Sequence, residues 1–188
     1  MKSERITPGG EVIPTARLDL VPFTPGFLRA SLEGDFAGAE RILGATLPAG
    51  WPDYPDIHRV RLAQLEADPS LLRWLIRGMV LRSERRLIGH IGFHTAPGAK
   101  YLNILSPEGV EFGFDVFARW RRQGFAFEAA AALMHWARAR HGVKRFVVSI
   151  SPANAPSLGL ADKFGFRRIG AHVDEVDGPE DIFERVVA

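Results

Sequence analysis

The stretch from Val110 to His141 restricts what this chain can become more than any other part of it. Val110-Glu111-Phe112-Gly113-Phe114-Asp115-Val116 is a short, mostly apolar run of the kind that forms a buried strand. Phe125 to His141 (FAFEAAAALMHWARARH) is rich in alanine, lacks glycine and proline, and stops at Gly142, a residue suited to closing a helix. Between them lies Arg121-Arg122-Gln123-Gly124. A loop that enters a helix presents backbone N–H groups with no intrahelical acceptor, at the positive end of the helix dipole. That arrangement cradles anions. Gly124 can take positive φ and admits a close approach to the backbone. Ala126 keeps the next position small, and Arg119, Arg121 and Arg122 add positive charge. A diphosphate fits such a cradle.

Local sequence alone leaves a plainer reading open, an ordinary strand-loop-helix connection with solvated arginines. The segment lacks the Gly-Lys-Ser/Thr ending of a P-loop. It also lacks the G-x-G-x-x-G run and downstream acid of a dinucleotide site. A phosphate-bearing ligand other than a nucleoside triphosphate or NAD therefore stands beside the plainer reading.

The stretch EFGFDVFARWRRQGFAFEA resembles the acetyl-CoA signature of the GNAT N-acetyltransferase superfamily. It is most similar to the branch with ribosomal-protein-alanine acetyltransferases, whose pattern runs roughly E-I-G-Y-x-L-x-P-x-Y-x-G-x-G-Y-A-T-E-A. Glu111, Gly113, Gly124, Ala126, Glu128 and Ala129 match it, and Arg121, Gly124 and Ala126 meet the narrower Q/R-x-x-G-x-G/A element. Ala118 replaces the usual proline and Arg122 a frequent glycine. A second block, from Asn154 and Ser157 to Lys163-Phe164-Gly165-Phe166, resembles the family's N-x-x-S…EK-x-GF segment.

Length and composition agree. With 188 residues, 46% of them hydrophobic, one well-cored domain is expected. The expected division is a loose N-terminal arm over 1–14 and a single domain over 15–188. No apolar run is long enough to span a membrane, and MKSERITPGG has no apolar signal-peptide core, so the expected location is cytoplasmic. The absence of cysteine excludes disulfides, a thiolate nucleophile and a cysteine metal site. The formal net charge is +2, and the basic clusters at 82–86, 119–122 and 138–145 carry no nucleic-acid-binding motif. His90 and His94 lie four residues apart on one strand face, roughly 13 Å, too far for one ion. No metal site is expected.

Arg17 to Val21 alternates as a first strand, and Thr24-Pro25 starts a helix. Asp35 and Asp56 read as caps of helices near 36–44 and 57–67. Residues 72–82 and 87–94 read as a hairpin around a polar turn. Gly89 and Gly92 signal a close approach by another backbone. The run 95–109 reads as a surface loop. After the helix over 125–141 come a strand at 145–150, a short helix near 156–164, and strands at 167–173 and 182–187.

The resemblance implies an α/β protein of the GNAT fold: a mixed, mostly antiparallel sheet flanked by helices, with splayed parallel fourth and fifth strands. It implies acetyl-CoA as co-substrate, with Phe114, Val116 and Phe117 around the pantetheine arm and Arg121, Arg122, Gln123, Gly124, Phe125 and Ala126 at the diphosphate. Asn154 would contact the pantetheine amides, and Ser157 would protonate the leaving thiolate. Helix capping is the alternative for both. The position of the acid-catalytic tyrosine of many relatives is Ala161 here. Trp51, Phe93 and Glu111 would line the acceptor pocket, although Trp51 also reads as core.

Without cysteine, direct transfer in a ternary complex is expected. Glu111, an acid within an apolar strand, is the candidate base, with desolvation raising its pKa. A structural Glu paired with an arginine is the alternative. The expected activity is acetyl transfer from acetyl-CoA to a primary amine, on a small molecule or a protein N-terminus, by a monomer or homodimer. A different acyl group, or a CoA-binding sensory module without turnover, are the competing functions.

Overall fold

Caps and turns set the elements of the N-terminal region. In the computed structural model, which describes residues 6–7, 10–174 and 178–188, short strands β1 (Ile6–Thr7), β2 (Gly10–Glu11) and β3 (Ile13–Pro14) precede β4 (Leu18–Pro22). Thr24 caps α1 (Pro25–Glu33), its hydroxyl accepting from Phe27 N at 3.2 Å, and Asp35 caps α2 (Phe36–Leu43) by accepting from Gly38 N at 2.8 Å. In α3 (Pro55–Ala67) the expectation fails. Pro55 opens the helix, Tyr54 is the cap residue, and Asp56 lies in the first turn paired with Arg59. A proline pre-set for the first helical position moves the start two residues earlier than the Asp56 reading.

The next strand is shorter than 72–82. Asp68 accepts from Ser70 N and winds Pro69–Arg73 into a 3-10 turn, so β5 is Arg77–Leu81. It pairs antiparallel with β4 and with β6 (Arg86–Phe93). Then follow β7 (Val110–Val116), α4 (Phe125–His141), β8 (Arg145–Ile150), α5 (Ala155–Lys163), β9 (Arg167–Asp174) and β10 (Gly178–Val186). Gly142, at φ 68°, ends α4 where the sequence indicated, its N–H donating to Arg138 O. The larger sheet has the order β3-β4-β5-β6-β7-β8-β10-β9. Among the described pairings β7 and β8 run parallel, in register at Val110–Phe146 and Glu111–Val147. A mostly antiparallel mixed sheet with a parallel fourth and fifth strand is the α/β arrangement the resemblance implied.

Packing divides the chain into two units. The first comprises Met1–Gly92 and Phe114–Leu133. Its core joins Phe23, Phe27, Leu28, Trp51, Leu65, Leu75 and Leu87. Both strand glycines do what was expected. A Cβ at Gly89 would lie 2.3 Å from Asp115 O, and one at Gly92 2.6 Å from Ile76 Cα. The loose-arm expectation falls partly outside the described residues. Within them, Ile13-Pro14 pairs with Leu20 and Asp19, and Val12 and Ile13 are buried. The fully buried Arg77 gives the reason. Its guanidinium needs acceptors and donates to Glu11 O (2.6 Å) and Arg73 O (2.7 Å), which ties β2 down.

The second unit comprises Phe93–Gly113 and Met134–Ala188. Phe93 packs against Phe112 and Phe146, and Phe112 against Phe166. The run 95–109 is more than surface. Leu102 joins Val147 and Ile182 in a buried cluster, and the buried Ser106 donates to Glu184 Oε1 at 2.6 Å. The last strand starts four residues before the expected 182, because Gly178 to Glu184 pairs with β9.

Candidate functional site

The loop entering α4 takes the positive φ that Gly124 allows. After β7 a 3-10 turn over Ala118–Trp120 leads to Arg122 at φ 61° and Gly124 at φ 82°, two left-handed residues flanking Gln123. Alternation of this kind turns successive N–H groups inward as an anion nest. The helical ladder begins only with Glu128 N donating to Gly124 O (3.0 Å). The arginines divide their work. Arg121 turns back onto β7, Nε donating to Val116 O (2.6 Å) and Nη2 meeting Asp115 Oδ1 (3.1 Å), so it braces the loop. Arg122 is exposed. Val116 and Phe125 are buried, which leaves them only backbone to offer a ligand, and Phe117 N already donates to Ile88 O. Phe114 and Ala126 are half-buried.

A residue that the sequence did not single out holds this loop. Arg17 donates from its backbone N (2.6 Å) and its Nε (2.7 Å) to the Glu128 carboxylate, and from Nη1 to Gln123 O (3.0 Å). Its guanidinium also lies 4.2 Å from the centre of the Phe125 ring. Desolvation raises the Glu128 pKa, but hydrogen bonds from Thr15 and Arg17 and the Arg17 charge bring it below its ordinary value. The acid in the first turn of α4 is thus a paired anion.

Glu111, in the second unit, is buried, and its surroundings reverse the expected direction. Oε1 accepts from Ser149 Oγ at 2.6 Å and Oε2 from Tyr101 OH at 2.9 Å, while His94 Nδ1 lies 3.5 Å from Oε2. Desolvation does push the pKa up, as expected. Hydrogen bonding and charge from His94, with the hydroxyls of Ser149 and Tyr101, outweigh it and bring the carboxyl to about 2. No arginine takes part. Glu111 is a held anion and a weak base.

The other acceptor-pocket expectations meet core packing. Phe93 is fully buried, its ring packed against Phe112 and Phe146. Trp51 is buried in the first unit, its Nε1 donating to Ser31 Oγ (3.0 Å) and its ring packed on Phe23, Phe27 and His58. Two histidines, His58 against Trp51 and His90 against Tyr54 and Phe117, have buried ring nitrogens lacking partners among the described residues: both nitrogens of His58, and His90 Nε2. Burial and the His90 charge push His58 down to about 4. Burial also lowers His90, against the charges of Asp115 and Asp53.

In the second unit, Asn154 is the N-cap of α5, its Oδ1 accepting from Ser157 N at 3.2 Å. Ser157 is therefore not the cap. Its hydroxyl makes no hydrogen bond among the described residues. The same holds for the Asn154 Nδ2 donors. Among the described residues no three His, Asp or Glu side chains gather as a metal site, and no helix is long and apolar enough to cross a membrane.

Comparison with known proteins accords with this geometry. Over 92 residues the chain is 32% identical to the uncharacterized N-acetyltransferase YnaD of Bacillus subtilis, a match spanning 49% of each chain. It therefore spans about half the length of that curated relative. Two solved structures share the fold over nearly all of this chain. The apo ribosomal L7/L12 alpha-N-protein acetyltransferase RimL has a TM-score of 0.64 at 16% identity, covering 97% of this chain and 100% of that one. The microcin C7 self-immunity acetyltransferase MccE, in complex with acetyl-CoA and AMP, has a TM-score of 0.62 at 16% identity, covering 97% and 98%. Residues 17–167, from the arginine that holds the α4 loop to the first residue of β9, match the model of the acetyltransferase (GNAT) domain, and the chain belongs to that family.

Proposed function

We propose that this protein transfers an acetyl group from acetyl-CoA to a primary amine, on a small molecule or at a protein N-terminus, without a covalent acyl-enzyme. The observation that carries the reading is the left-handed pair Arg122 and Gly124 directly ahead of α4, a backbone pattern that favours anion binding at a helix N-terminus. A CoA diphosphate is the anion that fits the family, and the MccE complex supports acetyl-CoA as the donor. In this reading Arg122, Gln123, Gly124 and Ala126 hold the diphosphate and Arg121 fixes the loop. Phe114 to Phe117 meet the pantetheine arm, and Asn154 Nδ2 its amides. Ser157 would supply a proton to the departing sulfur. Glu111 supplies a fixed negative charge beside the β7 backbone.

The chemistry needs a neutral amine, a donor for the oxyanion, and a proton for the thiolate. The chain has no cysteine, so a thiol reagent reads released CoA without background from the protein. Incubation with acetyl-CoA and a panel of amines and N-terminal peptides is expected to give CoA release with at least one acceptor, faster as pH rises and the amine loses its proton. Tight acetyl-CoA binding with no turnover across that panel refutes the reading in favour of a sensory module.

A further inference from the structure

We infer that His94, held by Glu111, takes the proton from the acceptor nitrogen; the inference rests on the transferase reading above. His94 follows directly on β6, and its backbone N–H donates to Glu111 O at 2.9 Å. Its side chain is keyed to the same residue, with Nδ1 3.5 Å from Glu111 Oε2. The carboxylate is itself fixed by Ser149 Oγ on one oxygen and Tyr101 OH on the other. A carboxylate beside Nδ1 selects the tautomer protonated there and puts the lone pair on Nε2. The 3.5 Å separation is long for a finished hydrogen bond, and such contacts tighten when substrate is bound.

Where Nε2 lies gives the arrangement its use. A Cβ built at Gly113 would stand 3.0 Å from His94 Nε2, so the missing side chain is what lets the imidazole edge rest on β7. Gly113 immediately precedes Phe114, where the strand is proposed to meet the pantetheine arm. The His94 side chain is 39% exposed, whereas that of Glu111 is 9% exposed and its oxygens are occupied. Substrate can approach the histidine, and the carboxylate acts through it as a positioning residue.

The step balances without a further reagent. The amine nitrogen forms a C–N bond to the thioester carbonyl carbon and gives one proton to Nε2. The C–S bond breaks and its electron pair leaves on the CoA sulfur. The imidazolium returns its proton to that sulfur or to water.

The test compares wild type with His94→Asn and Gly113→Ala, using the amine that gives wild-type turnover. His94→Asn is expected to lower kcat by about 10²–10⁴-fold, with an unchanged acetyl-CoA-induced thermal shift. It should also lose the low-pH limb of the wild-type kcat profile and recover part of its rate with added imidazole. Gly113→Ala, which crowds Nε2 without removing it, should lower kcat and leave both melting and acetyl-CoA binding in place. A His94→Asn enzyme that keeps wild-type kcat and pH profile overturns the inference while leaving acetyl transfer intact. A wild type that turns over no amine overturns the transferase reading and this inference with it.

Discussion

Acid should destabilise this protein in part through His58, and the size of that share follows from its surroundings. His58 on α3 is fully buried, packs on Trp51 with ring centroids 4.9 Å apart, and has no partner for either ring nitrogen among the described residues. Burial and the nearby His90 lower its pKa from 6.5 to about 4. The sign follows directly. An unfolded chain protonates this ring at pH 6.5, whereas the folded protein resists until about pH 4, so the unfolded state binds more protons throughout that window. Stability is unaffected above pH 6.5 and falls as pH drops towards 4. The gap of about 2.5 units, at about 1.36 kcal/mol each, corresponds to about 3 kcal/mol. With a urea m-value of about 2 kcal/mol/M, the midpoint should fall by about 1.5 M. Urea titrations of wild type and His58→Phe from pH 7.5 to 4 measure this. His90 remains in both proteins, so the difference isolates His58. Glu111, whose pKa falls from 4.5 to about 2, contributes stability that is lost only below pH 4.5, and equally in both. The variant should lose about 3 kcal/mol less than wild type. Parallel losses in the two proteins between pH 6.5 and 4 would refute the reasoning.

The proposed site yields two more. Gly124→Asp places a negative side chain in the α4 loop at φ 82°; it should abolish the acetyl-CoA stabilisation, about 2.7 kcal/mol at 100 times Kd, while strain costs the apo protein only about 1–2 kcal/mol. Equal thermal shifts in wild type and variant would remove the loop as the diphosphate site. Because Asn154 supplies the α5 cap, Ser157→Ala should change stability by less than about 0.5 kcal/mol, whereas Asn154→Ala should cost about 0.5–2 kcal/mol. If Ser157 is the thiolate's acid, Ser157→Ala should also reduce kcat by about 10²-fold with acetyl-CoA affinity unchanged, and wild-type kcat would assign that role elsewhere.

What the chain disclosed in advance was local. Thr24, Asp35 and Gly142 are caps whose effect reaches three or four residues, and each acts where its neighbours indicated. The same holds for β7, α4 and the loop between them, where strand composition, helix propensity and two left-handed residues act within one stretch. Local signals also compete: at α3, Pro55 outranks Asp56 as the start. Partners far along the chain left no mark. Nothing around Glu11 announces a buried arginine 66 residues on, yet Arg77 holds Glu11 in the described part of the expected loose arm. Nothing around Glu128 announces Arg17.

The functional residues divide in the same way. The proposed anion cradle consists of consecutive backbone groups, so the proposal could be read in order from the chain. The charge state of Glu111 could not, because it depends on four groups from three places. Desolvation by its own strand pulls one way, and Ser149, Tyr101 and His94, from β8 and the run after β6, pull the other. An acid in an apolar strand suggests a raised pKa only while its partners are unknown. With them present, the carboxylate is worth more as a fixed charge than as a proton acceptor. The search for the base then moves to the residue that charge orients. His94 lies seventeen positions before Glu111 in sequence and 3.5 Å from it in the fold.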